Sequence, residues 1–207
     1  MLKLPQMRTK NRNPALLLEG KKVDPIIEFY FELNHLKQLF RQGWLLKGIP
    51  VDKCESVADH LFGTSILTLI IADNHFETLN TVKLLKMVLI HELGEIYLGD
   101  ITPHDHISKE MKHEWELKAV IEIFSKIPKG KEYIALWKEY EDGTTPESKL
   151  VRQIDYMEMA FQATIYEHQY NKDLQEFFNF NNRKLKNKTL LNFYKEVKKL
   201  RIKPNQK

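Results

Sequence analysis

Cysteine is almost missing: Cys54 is the only one in 207 residues. A lone cysteine excludes a disulfide framework and a multi-cysteine zinc site, and makes an intracellular, cytoplasmic setting the expectation. Glycine and proline are scarce too, eight of each, which argues against collagen-like, linker-like and turn-rich sandwich classes. No long apolar run is present. The longest, Ile66 to Ala72, is interrupted by Thr68 and falls far short of the roughly 20 residues that span a bilayer. The opening MLKLPQMRTKNRNP lacks the continuous apolar stretch of a secretory signal, so neither export nor membrane insertion is expected.

What remains is an ordinary globular composition, 43% hydrophobic and 29% charged, enough to build a sizeable core in one domain. Charge is unevenly spread. Residues 1–22 hold six Lys/Arg and one acid, and residues 183–207 hold ten and one, leaving residues 23–182 at a net charge of −10 out of a whole-chain +4. An acidic body with basic ends is not a nucleic-acid-binding stripe, but it suits a protein that collects metal cations. The expected organisation is a basic N-terminal segment over 1–22, a helical domain over 23–180, and a basic C-terminal helix or tail over 181–207.

Apolar spacing is helical almost throughout and nowhere alternates with period two, which predicts an all-α bundle of six to seven helices. Asp24-Pro25 starts a helix carrying Ile26, Tyr30, Leu33, Leu36 and Phe40. Gly43, Gly48 and Pro50 make 41–54 a loop. Ser56 and Asp59 resemble a capping box opening a helix to about Asp73, with Val57, Leu61, Ile66, Leu69 and Ile70 inward. A third helix runs from about Thr81 to Leu98 and is apolar on most faces, as in the centre of a bundle. Further helices are expected over 108–126, 130–141, 145–169 and 188–202.

The buried-type helix carries HELGEIYLGDITP, residues 91–103. His91, Glu92, Glu95 and Asp100 place four ionisable groups in ten residues, costly to bury without partners. A divalent cation, which accepts imidazole nitrogen and carboxylate oxygen together, is the simplest partner. One helix seldom completes such a site. His60 and Asp155, each on another helix among apolar positions, are the candidates to complete it, and the ion would acidify water to a pKa of roughly 7–9. Each residue also has an ordinary alternative: His60 as a hydrogen-bonded core histidine, His91-Glu92-Glu95 as a solvated face, Asp155 as a partner of Arg152.

The ordered motifs resemble a known family. His60, then His91-Glu92, then Asp155 is similar to the HD-domain phosphohydrolases, whose ligands are a His, a His-Asp doublet and a later Asp. Arg41-Gln42-Gly43-Trp44, Glu55 to His60, His91 to Pro103, and Glu147, Lys149 and Asp155 resemble the branch containing the YfbR-like 5′-deoxynucleotidases and HD domain-containing protein 2. The likeness covers about residues 30–170. Glu92 departs from it: the doublet's Asp is replaced by a Glu, which carries its oxygens about 1.5 Å further out and suits a larger ion or bidentate binding.

The resemblance implies hydrolysis of deoxyribonucleoside 5′-monophosphates by a homodimer, the apolar stripe of the last helix being compatible with pairing. His60, His91, Glu92 and Asp155 would hold one divalent metal ion (Co, Mn, Ni, Zn, Fe or Mg), which binds phosphate and supplies hydroxide. Glu95 would orient water or carry its proton. Asp100 would assist at the leaving oxygen or hold the nucleoside, its ordinary alternative being a cap. Arg41 would fork onto the phosphate, and Trp44 would wall the sugar against a 2′-hydroxyl. Glu147 and Lys149 would pair near Asp155. Two other classes stay open: another phosphohydrolase or phosphodiesterase of the superfamily, and a non-catalytic nucleotide-binding module in which Glu92 has degraded the site.

Overall fold

Ser56 opens the element around which the interior is organised. Its hydroxyl accepts the N–H of Asp59, and the Asp59 carboxylate accepts the N–H of Ser56 at 2.8 Å, the reciprocal cap expected from sequence. Here α1 is Pro25–Leu33, α2 Gln42–Leu46 and α3 Val57–His75, followed by α4, Thr81–Ile90, and α5, Glu95–Leu98. The second half comprises α6, Lys109–Ser125, α7, Gly130–Asp142, α8, Pro146–Tyr170, α9, Gln175–Lys184, and α10, Lys188–Lys199. This computed structural model describes residues 7–202; the outer tips of the two basic ends lie outside them. The chain is all-α. Among the described residues there is no strand, only two isolated bridges, Thr9 with Leu39 and Phe40 with Ser56, and no helix is long and apolar enough to cross a membrane.

The structure breaks the expected helix from Thr81 to Leu98 in two. Past Ile90 the N–H groups of Leu93, Glu95 and Ile96 bond three residues back, to Ile90, Glu92 and Leu93, the tighter pattern of a 3₁₀ turn. Two side chains take carbonyls there: His91 Nδ1 meets the Val88 oxygen at 2.7 Å, and the Trp137 indole donates to the His91 oxygen at 3.2 Å. Gly99, at φ +78°, ends α5 in a conformation that a Cβ disfavours.

The first helix is likewise shorter than expected. It stops at Leu33 and gives way to a 3₁₀ segment, Asn34–Lys37. Leu36 and Phe40 are buried while Ile26 and Tyr30 face outward. On α3 the inward positions are Val57, Leu61 and the polar Thr64, Ser65 and Thr68; Ile66 and Ile70 are exposed. Thr64 and Ser65 donate to the carbonyls of His60 and Leu61, so their hydroxyls are satisfied inside the helix. The 41–54 loop contains α2, and α9 was not anticipated at all.

Two apolar cores result. One gathers Trp44, Met87, Val88, Ile154, Met157, Phe178 and Tyr194 between α3, α4, α8, α9 and α10. The other gathers Leu61, Ile90, Leu93, Ile96, Ile123 and Trp137 between α3, α5, α6 and α7. The apolar stripe of α10 is used within the chain: Leu190 and Tyr194 are buried, and the Tyr194 hydroxyl donates to the Phe178 carbonyl. Arg201 holds the following turn down by pairing with buried Glu167 at 2.7 Å and lying over the Phe178 ring.

Candidate active site

Between the two cores lies a cluster of ionisable groups. His60 comes from the first turns of α3, His91 and Glu92 from the tightened turn after α4, and Asp155 from the middle of α8. One ligand atom from each of these four lies within 4.8 Å of all the others. His60 Nε2 is 3.1 Å from Asp155 Oδ1, and His91 Nε2 is 3.8 Å from the same oxygen and 3.6 Å from Glu92 Oε1. Both histidines are buried, and each Nε2 has no hydrogen-bond partner in acceptable geometry. Their Nδ1 atoms are engaged instead, His91 with the Val88 carbonyl and His60 with Glu158 Oε2, both at 2.7 Å. Two buried ring nitrogens turned toward two carboxylates fit a divalent ion bonded at about 2.0–2.2 Å, which holds neighbouring donors roughly 3.0–3.5 Å apart. Without one, the cluster must hold protons. Burial and Arg41 oppose charge on His60, but Glu158 and Asp155 outweigh them and raise it to about 10. Asp155, although buried, is held well below the usual range by the two imidazoles.

Arg41 and Glu95 flank the cluster. Arg41 is no surface arginine: Nη1 lies 2.9 Å from Asp100 Oδ1, 3.6 Å from Glu92 Oε1 and 4.0 Å from Glu95 Oε1. The other Asp100 oxygen accepts the Gln42 N–H at the start of α2. Glu95 is buried, its Oε2 has no partner, and burial together with the charges of Glu92 and Asp100 pushes its carboxyl well above the usual range. Trp44 is 3% exposed. Its indole donates to Glu55 Oε1 at 2.6 Å and its ring packs 4.2 Å from that of Phe177.

A cleft of about 470 Å³ opens over these groups, lined by Arg41, Trp44, Glu92, Glu95 and Asp100 on one side and by Met159, Phe177, Phe180 and Arg183 on the other, with Lys112 and His104 at its rim. All eight residues singled out in the sequence therefore belong to one region: four form the cluster, and the other four line its mouth. The expected Glu147–Lys149 pair does not form near Asp155; Glu147 faces Lys83 and Lys149 is exposed. Arg152 turns away from Asp155 to the carbonyls of Tyr140 and Glu141.

Sequence reasoning missed five contributors. Glu158 supports His60. Glu55 anchors Trp44, and burial and Glu158 raise its carboxyl to about 7. Lys112 lies beside Glu116 at 3.5 Å, its charge upheld by Glu116, Glu92, Glu95 and Asp100 against burial. Phe177 and Phe180 build the far wall from α9. The only signal for that wall was the aromatic run at 177–180, beside a Lys/Asn-rich tract.

A family model described as HD domain matches residues 33–197. The chain belongs to the HD-domain family. It is 40% identical over 160 residues to the Schizosaccharomyces pombe protein named 5′-deoxynucleotidase hdd1, covering 73% of this chain and 78% of that one. The human protein named 5′-deoxynucleotidase HDDC2 is 34% identical over 163 residues, 77% of this chain and 78% of that one. Among solved structures, a protein of Pyrococcus horikoshii superposes with a TM-score of 0.72 at 33% identity, covering 84% of this chain and 99% of the other. The HD domain thus includes α9 and nearly all of α10, which the sequence motifs alone did not reach.

Proposed function

We propose that this HD domain is a metal-dependent hydrolase that removes the 5′-phosphate from deoxyribonucleoside 5′-monophosphates, leaving nucleoside and inorganic phosphate. The observation that carries the reading is the pair of buried, partnerless Nε2 atoms of His60 and His91 facing Glu92 and Asp155, beside a cleft furnished with the guanidiniums of Arg41 and Arg183 and a wall of aromatic rings. The relatives' names supply the substrate class.

His60, His91, Glu92 and Asp155 hold the ion. When bound, a divalent metal supplies Lewis acidity toward phosphate oxygen and a water acidified to near-neutral pKa, and a mixed imidazole–carboxylate set accepts Co, Mn, Ni, Zn, Fe or Mg according to availability. Arg41 binds the phosphate through the N–H donors that Asp100 leaves available. Asp100, with both oxygens engaged, positions Arg41 and the start of α2 and assists from there at the leaving oxygen or the nucleoside. Glu95, its carboxyl pushed well above the usual range by burial and the charges of Glu92 and Asp100, stands next to Arg41, where it serves the attacking water or the departing 5′-oxygen. Trp44 is fixed by Glu55 and stacked on Phe177, so it forms a rigid wall for the sugar. The base lies toward Phe177 and Phe180, whose ring faces accept any base without reading its edge.

We also infer a homodimer, but not through α10. Phe62, Ile66 and Ile70 on α3 and Leu89 on α4 form an exposed apolar ridge, the kind of patch that marks a protein contact.

The direct test is phosphate release from deoxyribo- and ribonucleoside 5′-monophosphates with and without added Co or Mn. Metal-dependent release from the deoxy series across several bases, with the ribo series slower, is expected. Release from cyclic dinucleotides or triphosphates in preference would move the protein to another branch of the superfamily, and silence on all of them would leave a nucleotide-binding module.

A further inference from the structure

We infer that Glu158 is the positioning residue of the ion site: it accepts the Nδ1 proton of His60, which fixes the tautomer and ring plane that turn Nε2 toward Asp155. The inference rests on the metal-dependent reading above and assigns part of that centre to a residue outside the motif.

Glu158 follows Asp155 by one helical turn on α8, so both carboxylates project from one face toward α3. Its Oε2 lies 2.7 Å from His60 Nδ1, and both residues are buried, at 7% and 1% exposure. The two histidines of the cluster are supported unequally. His91 Nδ1 finds a carbonyl on its own helix. His60 has no such acceptor at short range on its own helix: the Thr64 hydroxyl lies 3.5 Å from Nδ1, the limit of a hydrogen bond, against 2.7 Å for Glu158 Oε2. Without Glu158, the His60 proton is free to sit on Nε2, where it blocks the lone pair that a metal needs.

Glu55, the other carboxylate of this corner, is committed to the Trp44 indole and is no substitute. The packing confirms that room is kept for Glu158. Gly63 sits in mid-helix, where glycine costs about 1 kcal/mol relative to alanine. A Cβ there would meet Glu158 Oε1 at 3.0 Å, so the small residue admits the carboxylate. An anionic acceptor also makes the imidazole a stronger donor, and losing such outer partners typically weakens metal affinity tenfold to a hundredfold.

The test is titration of the metal-free full chain with Co(II), following heat and the visible absorption of the bound ion, for wild type, Glu158→Ala, Glu158→Gln and Gly63→Ala. Glu158→Ala is expected to bind Co(II) about ten to a hundred times more weakly and with an altered spectrum. Glu158→Gln keeps an acceptor of the same shape but not the charge, and is expected to recover part of the affinity and the wild-type band positions, which a merely structural loss would not do. Gly63→Ala, which keeps the carboxylate but crowds it, is expected to weaken binding in the same direction. Wild-type affinity and spectrum in Glu158→Ala, or in Glu158→Gln and Gly63→Ala together should the alanine variant not fold, would overturn the inference and leave the metal reading standing. Failure of the wild type to bind Co(II) would remove both.

Discussion

Shortening Glu92 by one methylene tests how this chain tolerates its departure from the His-Asp doublet. Glu92 Oε1 stands 3.6 Å from His91 Nε2 and 3.6 Å from Arg41 Nη1. In Glu92→Asp the carboxylate retreats by about 1.5 Å, which carries its oxygen toward about 5 Å from His91 Nε2 and beyond the spacing at which two donors share one ion. The backbone is not free to follow. The Leu93 and Glu95 N–H groups are tied to Ile90 and Glu92 carbonyls, and the Trp137 indole holds the His91 carbonyl. Arg41, still fixed by Asp100, keeps its place. Glu92→Asp is therefore expected to bind Co or Mn on the order of a hundredfold more weakly, about 2.8 kcal/mol, with turnover largely restored at saturating metal. Calorimetric titration of the metal-free protein reads the affinity, and phosphate release at increasing metal reads the rescue. An aspartate variant that binds as tightly as wild type would refute the reasoning from reach. One that is active where the wild type is silent would show that Glu92 impairs the natural site.

Glu95→Gln removes a buried carboxyl beside the cluster that burial and its acidic neighbours push well above the usual range; turnover is expected to fall by about 10²–10⁴-fold while Co(II) affinity changes only a few-fold, and unchanged turnover would strip Glu95 of its proton-carrying role. Metal and protons are expected to compete for the cluster: His60 is lifted to about 10 and His91 is raised as well, against burial, by facing carboxylates. Below about 10 the His60 imidazole must lose a proton before it can ligate, and His91 must do so wherever it is charged, so apparent affinity rises with pH by about tenfold per unit for each proton displaced. A flat profile from calorimetry at pH 6, 7 and 8 would refute this.

The helical class and most helix starts were legible because they rest on local rules: Ser56 with Asp59, Asp24 with Pro25, Ser108 and Thr145 each cap the helix they precede. Helix ends were less so. The break after Ile90 depends on Trp137, an indole 46 residues away in sequence that reaches the His91 carbonyl, and no periodicity records that. The ligands His60, His91, Glu92 and Asp155 stood out as polar residues in apolar helices, but Glu158 and Glu55 did not, since a glutamate on an amphipathic helix or beside a helix cap is ordinary until its neighbour is known. Ile26, Ile66 and Ile70 misled in the opposite sense: their spacing is that of a core face, whereas α3 turns Thr64, Ser65 and Thr68 inward beside Val57, Leu61 and Ile71 and leaves Ile66 and Ile70 outside.

The charge inventory of the region explains why its parts must act together. Glu55, Glu92, Glu95, Asp100, Asp155, Glu158 and Glu176 set seven carboxylates against three permanent cations, Arg41, Lys112 and Arg183, around one cleft. With neutral histidines and every acid ionised, the net charge would be −4, in surroundings where unpaired charge is costly and into which a phosphate would have to enter against repulsion. The raised pKa of Glu95 favours its uncharged form, and Glu55, at about 7, sheds part of another charge. A divalent ion offsets two more. Only then can the guanidinium of Arg41, already shared with Asp100, turn a net attraction on an incoming dianion. Glu95, whose upward shift eases the charge of the site, is also the group that can give a proton when it carries one, so in this cleft binding phosphate and acid catalysis both draw on the protonated form of the same carboxyl.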